Sequence, residues 1–546
     1  MNTSSPVALG LTTLPGLLDY AAQTYPTRQG LSVPAEHLEW SFPQLNTQAQ
    51  AWSAWFAHRD EAGGPGSRIA IIGSVSYSWL MAFLAVTCSG RVAVPIDVAA
   101  SPDEIGQMLR QTGAILTLTD REDLITELTN SQMSCLTLSE TFPARPCPLA
   151  DLGEADIQEV AGSDTAVMIF TSGTSGAARC VRLSQDNLTS NAVASSLLVG
   201  ACQAGDCLLP VLPFHHLYGL NTTVMTAIVA GATVVFADGP RHFLRALTSV
   251  RPTHLVLVPM IVMSVHAGIL AEVERRGHTR SFRFALVLSR LLLAIGIDAR
   301  GVLFRSVRAG LGGRLRIIVS GGAHLDPSYV TAFADLGIRV LVGYGVTECS
   351  PMVTANPIGH ERAGTVGRVA EGVEVALIDQ EICVRGRGVM QGYDDPDLTK
   401  ACFYETGWFR TGDLGSLSDD GFLTLTGRIK ALIVLSDGNN VDPEVVEQAL
   451  MTNPVVESAL VSGFCEGAVE GLAARVHPNP DVIRGMSPEE VRAVCEAAID
   501  AYNDTVPFFR QVRRVFVQER PFQTTSLGKV KRYLYQPGPA GQEVRS

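Results

Sequence analysis

The chain has 546 residues, 46% of them hydrophobic and 18% charged, a composition that makes it globular and long enough for two or more domains. Its net charge of −12 excludes bulk nucleic-acid binding, which rests on neutralising phosphates with Lys and Arg. Eleven cysteines, odd in number and without Cys-x-x-Cys spacing, exclude a disulfide framework or a zinc site and point to the cytoplasm; Met1 to Gly10 shows no secretory signal, and no apolar run reaches the ~18 residues of a membrane span.

Residues 13 to 60 read as largely helical, with Leu14, Leu17, Leu18 and Ala21 on one face, then a turn, then an amphipathic segment from Leu45 to Phe56. Arg68 to Gly73 predicts a strand, Tyr77 to Cys88 an apolar helix, and Ala93 to Ile96 a second strand. A helix from Asp103 to Gln111 leads to a third strand at Ile115 to Thr119. Strand alternating with helix favours a parallel sheet, whose ligand loops lie at the carboxyl ends of its strands.

A short apolar run, Ala166 to Phe170, predicts a buried strand that opens into Thr171, Ser172, Gly173, Thr174, Ser175 and Gly176. Hydroxyls and backbone N–H groups there can close around a tetrahedral anion, with glycines leaving room for it. No lysine follows Gly176, so this is not the common P-loop, and on residue types alone a phosphate loop and a plain surface turn both remain open. The order of residues resembles the nucleotide-binding loop of the adenylate-forming superfamily, which includes acyl-CoA synthetases, luciferases and the adenylation domains of peptide synthetases. The superfamily continues with Pro-Lys-Gly where this chain has Ala178, Arg179 and Cys180. Arg179 keeps the charge but replaces a compact ammonium by a planar fork. The resemblance assigns Thr171 to Gly176 and Arg179 to the phosphates of ATP, and Thr171 also to Mg²⁺.

Leu208 to Leu220 contains His215 and His216 between apolar neighbours, with Asp206 and Cys207 at no spacing typical of zinc. The stretch is similar to the superfamily's Leu-Pro-x-x-His-x-x-Gly segment, which implies that His216 lies against the carboxylate substrate. The resemblance also implies that an amino-acid-activating member would carry an aspartate here to hold the ammonium group; none stands between Pro210 and Leu220, which argues against an amino-acid substrate.

From Arg275 to Arg316 there are ten arginines and no lysine, against Asp298 alone, interleaved with Phe282, Phe284, Leu286, Val287, Leu288, Leu291, Leu292, Leu293 and Ile295. Two readings stand open: a surface region whose arginines pair with the chain's own acidic faces, or contact with an anionic membrane or an acidic acyl carrier protein.

Two more strand-to-glycine turns follow. Arg316 to Ala323 ends in Gly321, Gly322 and Ala323, where a planar base or a flat acyl group can approach the backbone. Val340 to Glu348 ends in Gly-Tyr-Gly-Val-Thr-Glu: Tyr344 and Gly345 could meet adenine, Thr347 could donate to the α-phosphate, and Glu348 could ligate Mg²⁺, a hard cation. Gly312 to Asp326 and Gly343 to Pro351 resemble the long-chain fatty acyl-CoA synthetase branch. Trp408 to Leu414 resembles the segment whose aspartate, here Asp413, grips the ribose hydroxyls. Gly427 to Glu447 resembles the inter-domain hinge, which implies that Arg428 contacts ribose or phosphate, that Lys430 is the hinge residue, and that Gly438 lets a pantetheine arm pass; Asp442 is placed as a helix cap with Pro443 at the first helical position. Lys529, near the C-terminus, matches the adenylation lysine.

The resemblance implies an α/β fold: a large N-terminal domain of mixed and parallel sheets flanked by helices, residues 1–428, and a small mobile α+β lid, residues 429–546. It implies activation of a carboxylic acid, a medium or long aliphatic chain, by ATP and Mg²⁺, and transfer of the acyl group to CoA or to the phosphopantetheine of an acyl carrier protein. Arg179 leaves a nucleotide-binding protein without turnover as a further alternative.

Overall fold

The computed structural model describes residues 10–130, 133–145, 147, 159–171, 179–199, 202–237, 243–429, 432–435, 440–466, 469–525 and 530–535. Ser172, Gly173, Thr174, Ser175, Gly176, Lys430, Gly438 and Lys529 lie outside the described residues.

The expected strand–helix–strand alternation builds a seven-stranded sheet. Arg68–Ile72 lies inside it, next to the central strand, and pairs in parallel with that strand, Val92–Ile96, on one side and with Leu116–Thr119 on the other. Both neighbours follow helices, Tyr77–Cys88 and Pro102–Thr112, that supply the crossovers parallel pairing requires. The second of these starts with Ser101, whose side chain and that of Glu104 close a capping box. Thr165–Thr171 joins the sheet in parallel beside Val92–Ile96, then returns as Arg179–Ser184, antiparallel, with Thr171 opposite Arg179. The 171–179 segment is thus flanked by two paired strands rather than by a strand and a helix.

A nine-stranded sheet holds the other two glycine turns. Its parallel run orders Cys207–Leu208, His254–Leu257, Ile317–Ser320 and Arg339–Gly345 side by side, so the turns after residues 320 and 345 leave from the same edge. Beyond Arg339–Gly345 the chain reverses into Met352–Ala355, antiparallel. At the far edge lies a correction to the sequence reading. Residues 25–41 are not a simple turn between helices: Gln29–Val33 and Leu38–Ser41 form an antiparallel hairpin, and the first of these strands pairs in parallel with Thr233–Val235.

The two sheets share a core. Ile69, Ile71, Val167, Ile169 and Val181 from the first, with Leu31, Leu208 and Val234 from the second, belong to one buried cluster with Leu14, Leu17, Phe56, Trp79 and Phe83. Every residue of Tyr77–Cys88 except the half-buried Ser78 is buried, which explains a helix apolar nearly all round. The outer face of the second sheet packs Leu255, Leu257, Ile318 and Val340 against Val262, Phe304, Leu311 and Phe333.

A four-stranded antiparallel sheet carries Phe409–Leu417 beside Leu423–Arg428. The C-terminal part has its own core, including Val446, Leu450, Val461, Leu472, Ile499 and Val512. It is built on a three-stranded sheet and the helices Pro443–Met451 and Pro488–Asn503. Asp442 caps the first of these from the N-cap position, its carboxylate accepting from the Glu444 N–H at 2.9 Å, with Pro443 at the first helical position as expected. Among the described residues no helix is long and apolar enough to cross a membrane.

Candidate active site

The site grows from the strand ends. After Arg339–Gly345 the chain turns so tightly that a Cβ at Gly345 would collide with the carbonyl oxygen of Pro351. Only glycine lets the Thr347–Cys349 turn fold back there, and that turn presents Thr347 and Glu348, both half-buried.

Asp413 stands opposite Arg428 across the neighbouring ladder. Its side chain is almost fully buried and divides its oxygens: Oδ1 meets Arg428 Nε at 2.8 Å, and Oδ2 accepts from the Tyr344 hydroxyl at 2.7 Å. Burial, then the Asp413 charge, pushes the Tyr344 phenol well above its ordinary value, so it stays a donor. Tyr344, expected beside adenine, therefore spends its hydroxyl on orienting Asp413.

Glu348 has a different neighbour. The Tyr393 hydroxyl donates to Glu348 Oε1 at 2.8 Å, and the Arg179 guanidinium lies 5.6 Å from the centre of the Tyr393 ring. Burial and the Glu348 carboxylate push the Tyr393 phenol upward. Tyr393 pairs across the ladder with Val181, which places Arg179 at this corner, and Thr171 is its opposite number on the next strand. The structure thus brings Thr171, Arg179 and Glu348 together through Tyr393, a residue that sequence reasoning missed. Two thiols sit in the same field: burial and then Glu348 raise Cys349, and the same pair of causes raises Cys402 to about 11. Both remain protonated near neutrality.

Three buried amides missed from sequence hold these turns in place. Asn191 donates to the carbonyls of Cys349 (3.0 Å) and Met352 (2.8 Å), and Asn221 to that of Ser350 (2.7 Å). Asn187 donates to Arg387 O and Val389 O at 2.7 and 2.9 Å, and Met390 N donates to Glu348 O at 2.8 Å. Asn187 and Asn191, four apart on the helix Gln185–Val199, share one face. Two asparagines at that spacing in a helix are the signal available in sequence, since the residue is a weak helix former.

The remaining expected residues fall around this centre. Gly321 faces Tyr218: a Cβ there would stand 3.2 Å from the ring's Cζ and Oη. The Tyr218 hydroxyl reaches the carbonyls of Leu257 and Val319, both at 3.1 Å, and so ties the ends of two parallel strands. Gly322, at φ +85°, continues the turn to Ala323 and His324. His216 is half-buried at the start of the short turn Leu217–Gly219, its ring 4.4 Å from that of His215. His215 is the more buried of the two and places Nε2 3.4 Å from Asp97 Oδ2. Asp206, upstream of this stretch, pairs with Arg316 at 2.5 Å.

Among the described residues the C-terminal part approaches this centre through Gln448 and Asp442. Gln448 donates to the carbonyl of His324 at 2.7 Å, and Asp442 Oδ2 lies 3.5 Å from where a Cβ of Gly427 would be. Within that part, Glu447 accepts from Val461 N at 2.6 Å and from Arg532 Nη2 at 2.5 Å. Burial outweighs both donors and lifts its carboxyl to about 7.

The donor set fits a nucleotide with a hard divalent cation. Among the described residues Tyr393 is the partner of the Glu348 carboxylate, which leaves acceptor capacity for a metal that prefers oxygen. Asp413 is held by Tyr344 and Arg428 as an oriented carboxylate acceptor.

The architecture is that of the adenylate-forming enzymes. It superposes on the o-succinylbenzoate CoA synthetase of Bacillus subtilis in complex with the acyl-adenylate OSB-AMP with a TM-score of 0.74, at 22% identity over 98% of this chain and 100% of the other. On the anthranilate CoA ligase AuaEII in complex with anthranoyl-AMP the TM-score is 0.76, at 18% identity over 96% and 97%. Residues 18–394 match the AMP-binding enzyme family, and residues 430–536 match the AMP-binding enzyme C-terminal domain. The chain belongs to the AMP-binding enzyme family. Its curated relatives include the long-chain-fatty-acid–CoA ligase FadD15 of Mycobacterium bovis, 29% identical over 77% of this chain and 74% of that protein. An oxalate–CoA ligase of Arabidopsis thaliana is 26% identical over 96% and 98%. The chloroplastic long-chain-fatty-acid–acyl-carrier-protein ligase AEE15 of the same plant is 24% identical over 79% and 71%. The protein is an enzyme of the ligase class.

Proposed function

We propose that the enzyme activates a medium- or long-chain fatty acid with ATP and then passes the acyl group to the thiol of CoA. A carboxylate is a poor electrophile and oxide a poor leaving group, and adenylation repairs both. In the first half-reaction a carboxylate oxygen attacks the α-phosphorus, the bond to the bridging oxygen of pyrophosphate breaks, and acyl-adenylate forms. In the second, a thiolate attacks the acyl carbon and AMP leaves.

The observation that carries this reading is the pair of oriented carboxylates, Asp413 on Tyr344 and Arg428, and Glu348 on Tyr393 beside Arg179. Asp413 would accept from the ribose hydroxyls, with Arg428 steering it. Glu348 and Thr171 would hold Mg²⁺, which when bound neutralises phosphate charge. Thr347 would donate to the α-phosphate, and residues 171–176 with Arg179 would cradle the β- and γ-phosphates. Gly321, Gly322, Ala323 and Gly345 would admit the base and the acyl group, and His216 would face the carboxylate. Lys529 would bring positive charge to the pentavalent transition state. In this reading residues 1–428 form the large domain, and residues 429–546 rotate about Lys430, withdrawing Lys529 and opening a path past Gly438 for the pantetheine arm.

The fatty-acyl assignment is supported by the relatives named long-chain-fatty-acid ligases and by the missing aspartate near His216. Exchange of radiolabelled pyrophosphate into ATP tests it: exchange that depends on an added fatty acid is expected, and none with any carboxylic acid would refute the reading. Lys529→Ala is expected to remove exchange while sparing thioester formation from supplied acyl-adenylate.

A second acceptor is favoured by the relative named an acyl-carrier-protein ligase and by the arginine-rich stretch 275–316. Purified carrier protein replacing CoA in a thioester assay decides between them.

A further inference from the structure

The helix Thr279–Ala294 is apolar on both sides. Phe282, Ala285 and Leu286 pack inward on the core behind the nine-stranded sheet, and Ser289 is buried with them. The opposite face carries Phe284, Val287 and Leu291, which are 68%, 58% and 62% exposed. Their spacing of three and four residues makes them one stripe along the helix. The chain beyond adds Ile295, Ile297 and Val302, exposed by 70%, 51% and 80%. A surface helix in water normally turns charged residues outward. Here six large apolar side chains are gathered on one short segment.

The charges on the helix itself are of one sign, Arg280, Arg283 and Arg290. Arg275 and Arg276 share Glu272, Arg290 pairs with Asp335, and Arg300 pairs with Asp298. Among the described residues Arg280, Arg283 and Arg305 make no ion pair, and all three are exposed. Arg280, Phe284, Val287 and Leu291 fall on one line of the helix, with Arg283 beside it. Cationic groups thus border an apolar stripe on a protein whose net charge is −12.

We propose that this face is a peripheral docking surface for an anionic lipid bilayer. The helix would lie in the plane of the interface, with Phe284, Val287 and Leu291 entering the boundary between headgroups and acyl chains and Arg280, Arg283 and Arg305 meeting headgroup phosphates. A second copy of the chain fits less well, because a two-fold contact would set arginines against arginines. An acidic carrier protein would satisfy the arginines but leaves a stripe of this length only partly accounted for.

The test is co-sedimentation of the purified full-length protein with vesicles of phosphatidylcholine alone or phosphatidylcholine mixed with phosphatidylglycerol. Binding to the mixed vesicles that weakens at high salt is expected, with little binding to the neutral ones. Replacing Arg280 and Arg283 by Gln is expected to lower partitioning about 30-fold. The triple variant Phe284→Ser, Val287→Ser, Leu291→Ser is expected to lower it at least about 100-fold. Both variants should keep the wild-type circular dichroism and the acid-dependent exchange rate with a short soluble acid. Equal binding to both vesicle types, or variants that bind like wild type, would overturn the proposal. So would a wild-type dimer that the triple variant dissociates, or protection of residues 280–295 from hydrogen exchange by an acidic carrier protein and not by vesicles. Sedimentation reads no catalysis, so its outcome is independent of the activity proposed above.

Discussion

Asp413, on the strand Phe409–Leu417, and Glu348, in the turn after Arg339–Gly345, are both carboxylates of the candidate site, yet they are held differently. Asp413 is almost fully buried and has a cation on one oxygen and a phenol on the other. Glu348 is half-buried and, among the described residues, has a neutral phenol on one oxygen, with Arg179 one ring further away. The first is part of the protein's own electrostatic structure. The second keeps capacity for something that arrives from outside, which is what a metal ligand needs. Asp413 should therefore matter to both folding and nucleotide binding, and Glu348 to catalysis alone.

Glu348→Gln tests the second half of that contrast and carries the largest expected effect. Exchange of pyrophosphate should fall at least about 100-fold, while thermal unfolding shifts by less than about 1 kcal/mol, because glutamine still accepts from Tyr393. A large loss of stability would erase the distinction. Asp413→Asn should leave Arg428 without its closest counter-charge and cost about 2–3 kcal/mol, below the range for fully buried pairs because Arg428 is partly exposed. The KM for ATP should rise together with that loss in denaturant melts. Tyr393→Phe sharpens the comparison: it removes the donor that orients Glu348 and should weaken magnesium affinity about tenfold, with kcat recovering at saturating magnesium. If kcat stays low at every magnesium concentration, Tyr393 does more than position.

The smallest expected effect comes from a third carboxylate. Glu447 resembles Asp413 in having an arginine and a second donor, but burial lifts it to about 7 from an ordinary 4.5. The folded form then holds a proton that the unfolded chain releases between those values. Its stabilising effect is full below about 4.5 and is lost as pH rises through about 7. Unfolding of the C-terminal part, followed between pH 4.5 and 7, should show this slope; Glu447→Gln should flatten it.

Much of the frame was legible from residue order. The strand–helix–strand run from Arg68 to Thr119 is local, strongly apolar and punctuated by capping residues, so pattern and structure agree. The cap at Asp442 was legible for the same reason. The hairpin Gln29–Ser41 was not, because its first strand is completed by Thr233–Val235, some two hundred residues away. Around the site, motifs singled out Tyr344, Glu348 and Asp413 but not the bonds they make: nothing near Tyr344 in the chain announces that its hydroxyl donates to Asp413. Tyr393 had no local mark at all, since its place beside Glu348 depends on the short edge strand Gly392–Tyr393 pairing with Arg179–Ser184.

The helix Gln185–Val199 has a further consequence. Asn187 grips the chain at 387–389 and Asn191 grips it at 349–352, two segments that meet again where Met390 N bonds Glu348 O. One rod thus serves as a shared chassis for the Glu348 carboxylate and for its phenolic escort. A shift of that rod would carry both together and leave their mutual spacing intact, so motion elsewhere in the enzyme can displace this corner as a unit without detuning it.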